Sequence, residues 1–395
     1  MIKMRSFFVL LLALVCEFTF GQIVNIPDAN FKNALLNNFP EIDTNNDGDI
    51  QVSEAQATIA ITAVAQNISS IEGIEAFSNL ERLYLFNNPI ASVDLSANTQ
   101  LQQINFTFND LTSIDLSSNT LLSSVSLGNT NISTIDVSQL PNLELLDLSN
   151  TNISTIDLSS NPNLLSLALS FTNINSLDLS NNFALEGLGL RDTGISEFDF
   201  SIIPNLKSII VNDTNFVHLD FSNNTQLCSM SARDCPLLTS INLQNGNNQA
   251  LAANQDCSIV FTVGGSSATS GVFANTGNPN LDLICVDDIQ FANDNFTLVP
   301  VQTQFVEDCS VLSVDSYSIQ EVVLLYNPVK DNLVIESSIT IQQFSIYSIT
   351  GEKVLEGSVN DSKINVNVST LSSGLYFMTL KSNDANTEIL KFLKD

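Results

Sequence analysis

The chain of 395 residues is long enough for two or three domains, and its 44% apolar residues suffice for a hydrophobic core. Acidic residues outnumber basic ones by 42 to 13, which gives a formal net charge of −29. Nucleic acids and anionic lipids are bound through Lys and Arg, so this charge excludes both as partners and leaves cationic ligands and metal ions open. The single histidine excludes metal motifs that need two.

Residues 1–21 predict a secretory signal peptide. Lys3 and Arg5 form a short positive region, residues 7–15 form an apolar run, and Gly21 offers a small residue for cleavage. The apolar run is far shorter than the roughly 20 residues of a membrane span. We therefore expect export, and no transmembrane segment in the mature chain.

Residues 22–58 predict a small helical N-terminal cap. Asp28 is placed to cap a helix, and Phe31 and Leu35 follow at helical spacing. The sequence DTNNDGDIQVSE follows at residues 43–54. Its oxygen-bearing residues and its glycine have the spacing of an EF-hand calcium loop: Asp43, Asn45, Asp47, Gly48, Asp49, Gln51 and Glu54.

This loop predicts one structural calcium ion, because Ca²⁺ prefers about six to eight oxygen ligands around one point. Side-chain oxygens would come from Asp43, Asn45, Asp47 and Glu54, and a backbone carbonyl from Asp49. The alternative is an acidic turn that binds no metal and only satisfies its own backbone.

The middle of the chain repeats every 21 residues, and three apolar columns follow the pattern L-x-x-L-x-L. The first column contains Leu80, Leu101, Leu122, Leu143, Leu164, Leu185, Leu206 and Leu227, with apolar residues three and five positions later in nearly every repeat. A second half of each repeat carries an apolar–Asp–apolar triplet. The unit resembles the short 21-residue bacterial leucine-rich repeat over residues 59–243. The resemblance implies a mainly β solenoid of short coils.

Stacking of neighbouring coils buries their apolar edges, since no single repeat can do so alone. Both halves of the repeat alternate apolar and polar residues, so we expect two short parallel sheets on opposite sides and little helix. A column beginning at Asn88 and Asn109 and continuing as threonine from Thr130 is expected to lie inside and bond the turning backbone of the next coil.

Seven aspartates share one position of the repeat: Asp94, Asp115, Asp136, Asp157, Asp178, Asp199 and Asp220. Stacked at ~4.8 Å they would repel one another. Hydrogen bonds to the serine two residues later would offset the repulsion. A stripe that binds cations or basic ligands is the alternative, and we favour the local bonds because the aspartate belongs to the repeat itself.

A ligand surface is expected where the repeats differ. The outward positions of the first half are irregular, and we predict ligand contacts near Tyr84, Gln103, Asn105, Asp147 and Lys207. Variable positions are also typical of a plain solvated surface, so this alternative stays open.

Residues 244–318 predict a disulfide-containing C-terminal cap. Five cysteines remain after the signal peptide is removed, and none forms a C-x-x-C pair of the kind that holds zinc. We predict a disulfide between Cys285 and Cys309, and pairing of Cys257 with Cys228 or Cys235.

Four motifs mark residues 319–395 as a separate β domain: YNPVKDNLVI (326–335), SIYSITGEKV (345–354), LSSGLYFMTL (371–380) and KFLKD (391–395). Together they resemble the C-terminal sorting domain of the type IX secretion system, which implies a small β-sandwich and contact with that machinery. The segments 23–35 and 285–309 likewise resemble the caps of leucine-rich-repeat proteins exported by Bacteroidetes.

These features predict a secreted or cell-surface binding protein, adhesin-like, that captures a protein or glycan. A structural surface-layer component without a specific ligand is the alternative. A carbohydrate-active enzyme is less favoured: the chain has no nucleophile elbow, phosphate-binding loop or dinucleotide fingerprint, and its 42 acidic residues leave only a carboxylate pair for glycoside cleavage as an open alternative.

Overall fold

The computed structural model describes residues 21–38, 41–252, 262–263, 266–267, 273–309, 323–324, 329–348, 352–382 and 387–395. The core of the predicted signal peptide, residues 1–20, and Cys257 lie outside these ranges. The chain divides into two compact units, Met1–Glu307 and Asp308–Asp395. In the described ranges no helix has the length and apolar character needed to cross a bilayer.

The N-terminal cap contains helices α1 (Ala29–Asn38) and α2 (Val52–Ala57). The Asp28 carboxylate accepts hydrogen bonds from the amides of Asn30 and Phe31, which confirms it as the helix cap. Its other oxygen accepts from the amides of Ser69 and Ser70. One side chain therefore both starts α1 and ties the cap to the first coil.

A ten-stranded parallel sheet forms one side of the solenoid, and its strands between Arg82 and Ser231 begin at 21-residue intervals. Its members in spatial order are β1 (Ala60–Thr62), β2 (Arg82–Tyr84), β3 (Gln103–Asn105), β4 (Ser124–Ser126), β5 (Leu145–Asp147), β6 (Ser166–Ala168), β7 (Gly187–Gly189), β8 (Ser208–Ile210), β10 (Ser229–Ser231) and β14 (Phe273–Ala274). The predicted 21-residue leucine-rich-repeat solenoid is confirmed.

The inward columns of all coils merge into one hydrophobic core. Two polar columns run through it. Thr130, Thr151, Thr172, Thr193 and Thr214 are buried as predicted, but they donate their hydroxyls to the carbonyl three residues earlier in their own coil and not to the next coil. An asparagine ladder lines the second half, and its members donate both amide hydrogens to carbonyls of the preceding coil: Asn98, Asn119, Asn161, Asn182 and Asn224.

The second side of the solenoid corrects our expectation of a full second sheet. Strand pairing there is confined to the C-terminal end, in a sheet of β9 (His218–Asp220), β11 (Ser240–Asn242), β15 (Leu283–Cys285) and β16 (Gln304–Val306). In earlier coils one backbone bond links neighbours, as from the Asp110 amide to the Ile90 carbonyl. Apolar alternation buries that side of each coil, but alternation alone does not create a hydrogen-bonded ladder.

Coil stacking continues past residue 243, where the sequence pattern fails. Strand β14 pairs with β10, and β15 pairs with β11 and β16. Short helices α3 (Asn248–Ala252) and α4 (Ile289–Asn295) and the two-stranded ribbon of β12 (Thr262–Val263) and β13 (Ser266–Ser267) complete this cap. The ring of Phe296 stacks on Phe273 at 4.2 Å and closes the last coils with an aromatic cluster.

The second unit is a five-stranded antiparallel sheet of β17 (Val323–Leu324), β18 (Asn332–Ser348), β19 (Lys353–Asn367), β20 (Gly374–Ser382) and β21 (Thr387–Lys394). Register shifts interrupt the pairing of β18 with β19 near Ile341. Residues on both sides of this break, such as Ile335 and Ile346, share one core. We expected a sandwich of two sheets, whereas the described strands pair into one. Two short 3-10 helices, Ile74–Ala76 and Phe200–Ile202, occur in the solenoid.

Candidate ligand-binding surfaces and calcium loop

The seven aspartates of the second half, here called the Asp column, satisfy their own turns. In each coil the carboxylate accepts a hydrogen bond of 2.9–3.0 Å from the amide of the serine two residues later. These bonds from Ser159 hold the pKa of the exposed Asp157 below its usual range, and the same cause acts in its neighbours. The predicted local bonding is confirmed.

The strand surface brings three of the five predicted ligand residues together. Tyr84 and Asn105 are register partners on β2 and β3, and the Tyr84 hydroxyl donates to the Gln103 side chain. The side-chain oxygen Oδ1 of Asn105 accepts from the Thr107 amide. This half-buried aromatic and amide cluster lies at the N-terminal end of the sheet.

Asp147 and Lys207 lie apart from that cluster. Asp147 is only 1% exposed, and its carboxylate packs against Gly128, where a Cβ atom would meet Oδ2 at 3.1 Å. Burial raises the pKa of Asp147 to about 6, although the Ser149 amide donates to Oδ1. Lys207 pairs with Glu186 at 2.8 Å, six coils beyond Tyr84. The structure therefore does not gather all five residues into one site.

A feature that the sequence patterns did not reveal lies at the turn after each strand of the first sheet. Eight residues at 21-residue spacing, here called the turn column, have positive φ of 51–60°: Asn87, Phe108, Asn129, Asn150, Phe171, Asp192, Asp213 and Asp234. Each donates its amide to a carbonyl of the next coil at 2.6–3.0 Å. Asn and Asp tolerate this backbone conformation, whereas phenylalanine rarely adopts it.

The N-terminal loop folds its oxygens inward over its own amides. Asp43 accepts from the amides of Asp47 and Gly48, at 3.1 and 3.0 Å, and Asp47 accepts from the Asp49 amide at 2.9 Å. The Asn45 oxygen accepts from the Asp47 amide at 2.9 Å. Gly48, with φ of +79°, permits the sharp turn. These bonds hold three side chains around one loop.

Glu54 closes the loop from α2. One carboxylate oxygen accepts from the amide and hydroxyl of Thr44, and the other accepts from the Gln51 amide. The Asp49 side chain pairs with Lys32 at 2.5 Å and not with the loop amides. Only the backbone carbonyl of Asp49 therefore remains as a ligand for the loop. Ile50 is buried, and its carbonyl accepts from the Val24 amide, so the entering chain braces the loop.

The cysteines fall into two groups. Cys228, Cys285 and Cys309 are disulfide-bonded, and Cys235 is a buried thiol within the described chain. Cys235 continues the internal threonine column and donates to the Val211 carbonyl. The pairing of Cys285 with Cys309 stays a prediction, and Cys285 is the last residue of β15.

Fold and sequence together define a cell-surface leucine-rich-repeat protein with a sorting tail. Residues 325–394 match the family model of the secretion system C-terminal sorting domain. The chain is thus exported by type IX secretion to the cell surface or beyond. Among curated proteins, none matches the chain in sequence.

Several solved structures are similar to this chain in fold. The functional domain of InlJ from Listeria monocytogenes, which includes a cysteine ladder, is 16% identical, with 95% of this chain and 98% of that chain covered and a TM-score of 0.39. Internalin C2 of the same organism is 22% identical, with 53% and 96% covered and a TM-score of 0.47.

A leucine-rich-repeat protein of Leptospira interrogans is 12% identical, with 59% of this chain and 73% of that chain covered and a TM-score of 0.41. Similarities this distant give no information about the ligand of this chain. The solenoid assignment rests on the strand register and core columns of this chain itself.

Proposed function

We propose that the protein is a non-enzymatic binding protein that captures a protein or glycan outside the cell, as an adhesin does. The observation that supports this best is the division of its surface columns. The aspartates of the Asp column bond to backbone amides of their own turns. The residue types of the strand surface and of the turn column, by contrast, vary from coil to coil. A rigid, exported scaffold with variable outward side chains suits ligand capture.

An enzymatic role finds little support in the site chemistry. The histidine, His218, bonds through Nδ1 to the hydroxyl of Ser240 at 2.8 Å on an exposed strand of the second side. Cys228, ten residues later, is disulfide-bonded and cannot serve as a thiolate. His218 and Cys228 therefore have a structural role in this proposal.

An array of algal and host glycans and proteins tests the binding function, with the full chain as probe. We expect saturable binding to at least one ligand. Tyr84→Ala should weaken binding tenfold or more if the β2–β3 cluster contributes, because aromatic residues dominate interfaces. Asp157→Asn, on the Asp column, is the matched control and should change little. Absence of any saturable ligand would favour a structural surface-layer component.

We further propose that the N-terminal loop binds one Ca²⁺ that stabilises the cap. Asp43, Asn45, Asp47 and Glu54 would contribute side-chain oxygens and Asp49 its carbonyl. The oxygens of Asp43 and Asn45 and Oδ1 of Asp47 each accept one loop amide and keep a lone pair for a cation, whereas the Glu54 oxygen that faces Thr44 accepts two bonds. Within the described residues no three Asp, Glu, His or Cys side chains already surround a single point. We therefore expect Glu54 to turn from Thr44 when the ion binds.

Calorimetry and thermal melting test this site. Calcium at 100 times its dissociation constant should add about 2.7 kcal/mol to the free energy of unfolding. Asp47→Asn should weaken binding, whereas Asp49→Asn should preserve it because only the carbonyl is used. Equal melting temperatures with calcium and with chelator, together with no heat of binding, would contradict the proposal.

A further inference from the structure

Two phenylalanines interrupt a column that otherwise consists of asparagine and aspartate. Phe108 and Phe171 have φ of 57° and 60°, a conformation in which bulky residues are strained. Their amides bond to Gly128 and Arg191 of the next coils, as at every step of the column. The scaffold thus imposes the conformation, and folding alone gives no reason for phenylalanine at these two positions.

Both rings are displayed instead of buried. Phe108 is 47% exposed and Phe171 is 39% exposed, whereas the phenylalanines of the core are fully buried. The Arg191 guanidinium lies 5.0 Å from the centre of the Phe171 ring and orients it. Strain and exposure therefore occur together at both positions, which indicates selection for a contact outside the chain.

The positions between the rings carry amides. Asn150 donates to the Asn129 side-chain oxygen at 2.6 Å, which aligns the two side chains along the column. The strip from Phe108 to Phe171 covers three coil steps, or ~14 Å at the usual strand spacing. A hollow of about 580 Å³ adjoins it and is lined by Asn150, Phe171, Asn173, Asp192 and Thr193 among others, so one carboxylate borders it.

The chemistry of this strip restricts its partner. From Asn87 to Phe171 the column itself carries no charge, in a chain of net charge −29, and Arg191 and Asp192 border it only at the Phe171 end. Two separated rings do not provide the continuous apolar stripe that an amphipathic helix needs. Two ring faces that flank a pair of amides instead match a sugar chain, which presents both apolar C–H faces and hydroxyl groups.

We propose that Phe108, Asn129, Asn150 and Phe171 form the contact strip for a neutral oligosaccharide. Sugar rings stack on the two phenylalanines, and hydroxyl groups bond to the two asparagines between them. This inference deepens the proposed binding function and rests on it. It names the ligand class and places the contact beside the strand surface that the sequence indicated.

The test uses the full chain and immobilised neutral hexasaccharides of β-1,3-glucan, β-1,4-glucan and α-mannan, with alginate hexasaccharide as an acidic comparison. We expect at least one neutral probe to bind, with little dependence on salt. Phe108→Asn and Phe171→Asn should each weaken binding tenfold or more, and Asn150→Ala by a smaller factor. Asparagine suits positive φ, so both phenylalanine variants should fold.

Phe183→Ala is the matched control, because Phe183 is 59% exposed but lies outside the turn column. It should leave binding unchanged. Glycan binding that survives both turn-column variants and is lost in Tyr84→Ala would overturn the inference and keep the binding function. Binding of alginate or of arrayed proteins alone would overturn the neutral-glycan assignment. Binding of no probe on either array would overturn both.

Discussion

The Asp column and the turn column both repeat every 21 residues on the surface of one solenoid, yet they differ in what explains them. Each aspartate of the first accepts a bond from its own turn, so folding accounts for it. In the turn column, backbone conformation favours Asn or Asp, and Phe108 and Phe171 depart from that preference. Folding explains a column whose residues are alike in every coil. A strained exception within a column instead indicates selection for a contact outside the chain.

The internal asparagine ladder supplies the extreme case of a column explained by folding. Asn161 is fully buried and donates to the carbonyls of Val137 and Leu140 at 3.0 and 2.8 Å. Asn161→Ala leaves both carbonyls buried without a donor, so we expect a loss of about 3 kcal/mol. Urea unfolding measures it. Asn163→Ala, which removes one exposed bond to Pro141, should cost less than about 1 kcal/mol. Equal losses would contradict the ranking.

Asp147 is a buried acid on strand β5, and its titration should make the stability of the protein depend on pH. Its pKa of about 6 lies above the ordinary 3.8, so the folded protein holds the proton more tightly than the unfolded chain. Stability should fall as pH rises from about 4 to about 6, and the loss is complete above 6. Asp147→Asn should therefore raise the unfolding free energy at pH 8 by up to about 3 kcal/mol. At pH 4 the variant and the parent should be nearly equal, which unfolding curves at both values will check.

Phe108→Asn addresses the turn column directly. An asparagine relieves the left-handed strain, so we expect a gain of about 1 kcal/mol in the unfolding free energy. Thermal melting detects this as a higher midpoint. Asn129→Phe is the reciprocal control and should lower stability by a similar amount. A loss of stability in Phe108→Asn would show that the ring serves folding and would remove the strain argument for ligand contact.

The smallest effect is expected in the Asp column. Asp157→Asn keeps an acceptor for the Ser159 amide and removes repulsion from Asp136 and Asp178, so melting at neutral pH should shift little. Asp157→Ala loses the acceptor and should melt lower. Because the pKa of Asp157 is lowered in the folded chain, its contribution is present above about pH 4 and fades as pH falls further. The alanine variant should then approach the parent in acid.

The 21-residue period determined much of this protein directly from sequence. Coil stacking, the inner threonine column and the bonds of the Asp column all follow from local spacing, since each involves residues of one coil or the same position of the next. Asp28 as a helix cap and the sorting domain at 325–394 were likewise predictable from contiguous motifs.

Only the tertiary structure decided how far the second sheet extends, that Asp147 is buried, that coils continue through β14, β15 and β16, and that Phe108 and Phe171 share strained turns. None of these follows from the period, because burial and backbone conformation depend on how each coil closes against its neighbours. A periodic sequence determines which positions face each other. The packing of the coils determines the solvent exposure, the backbone strain and the hydrogen bonds at each position.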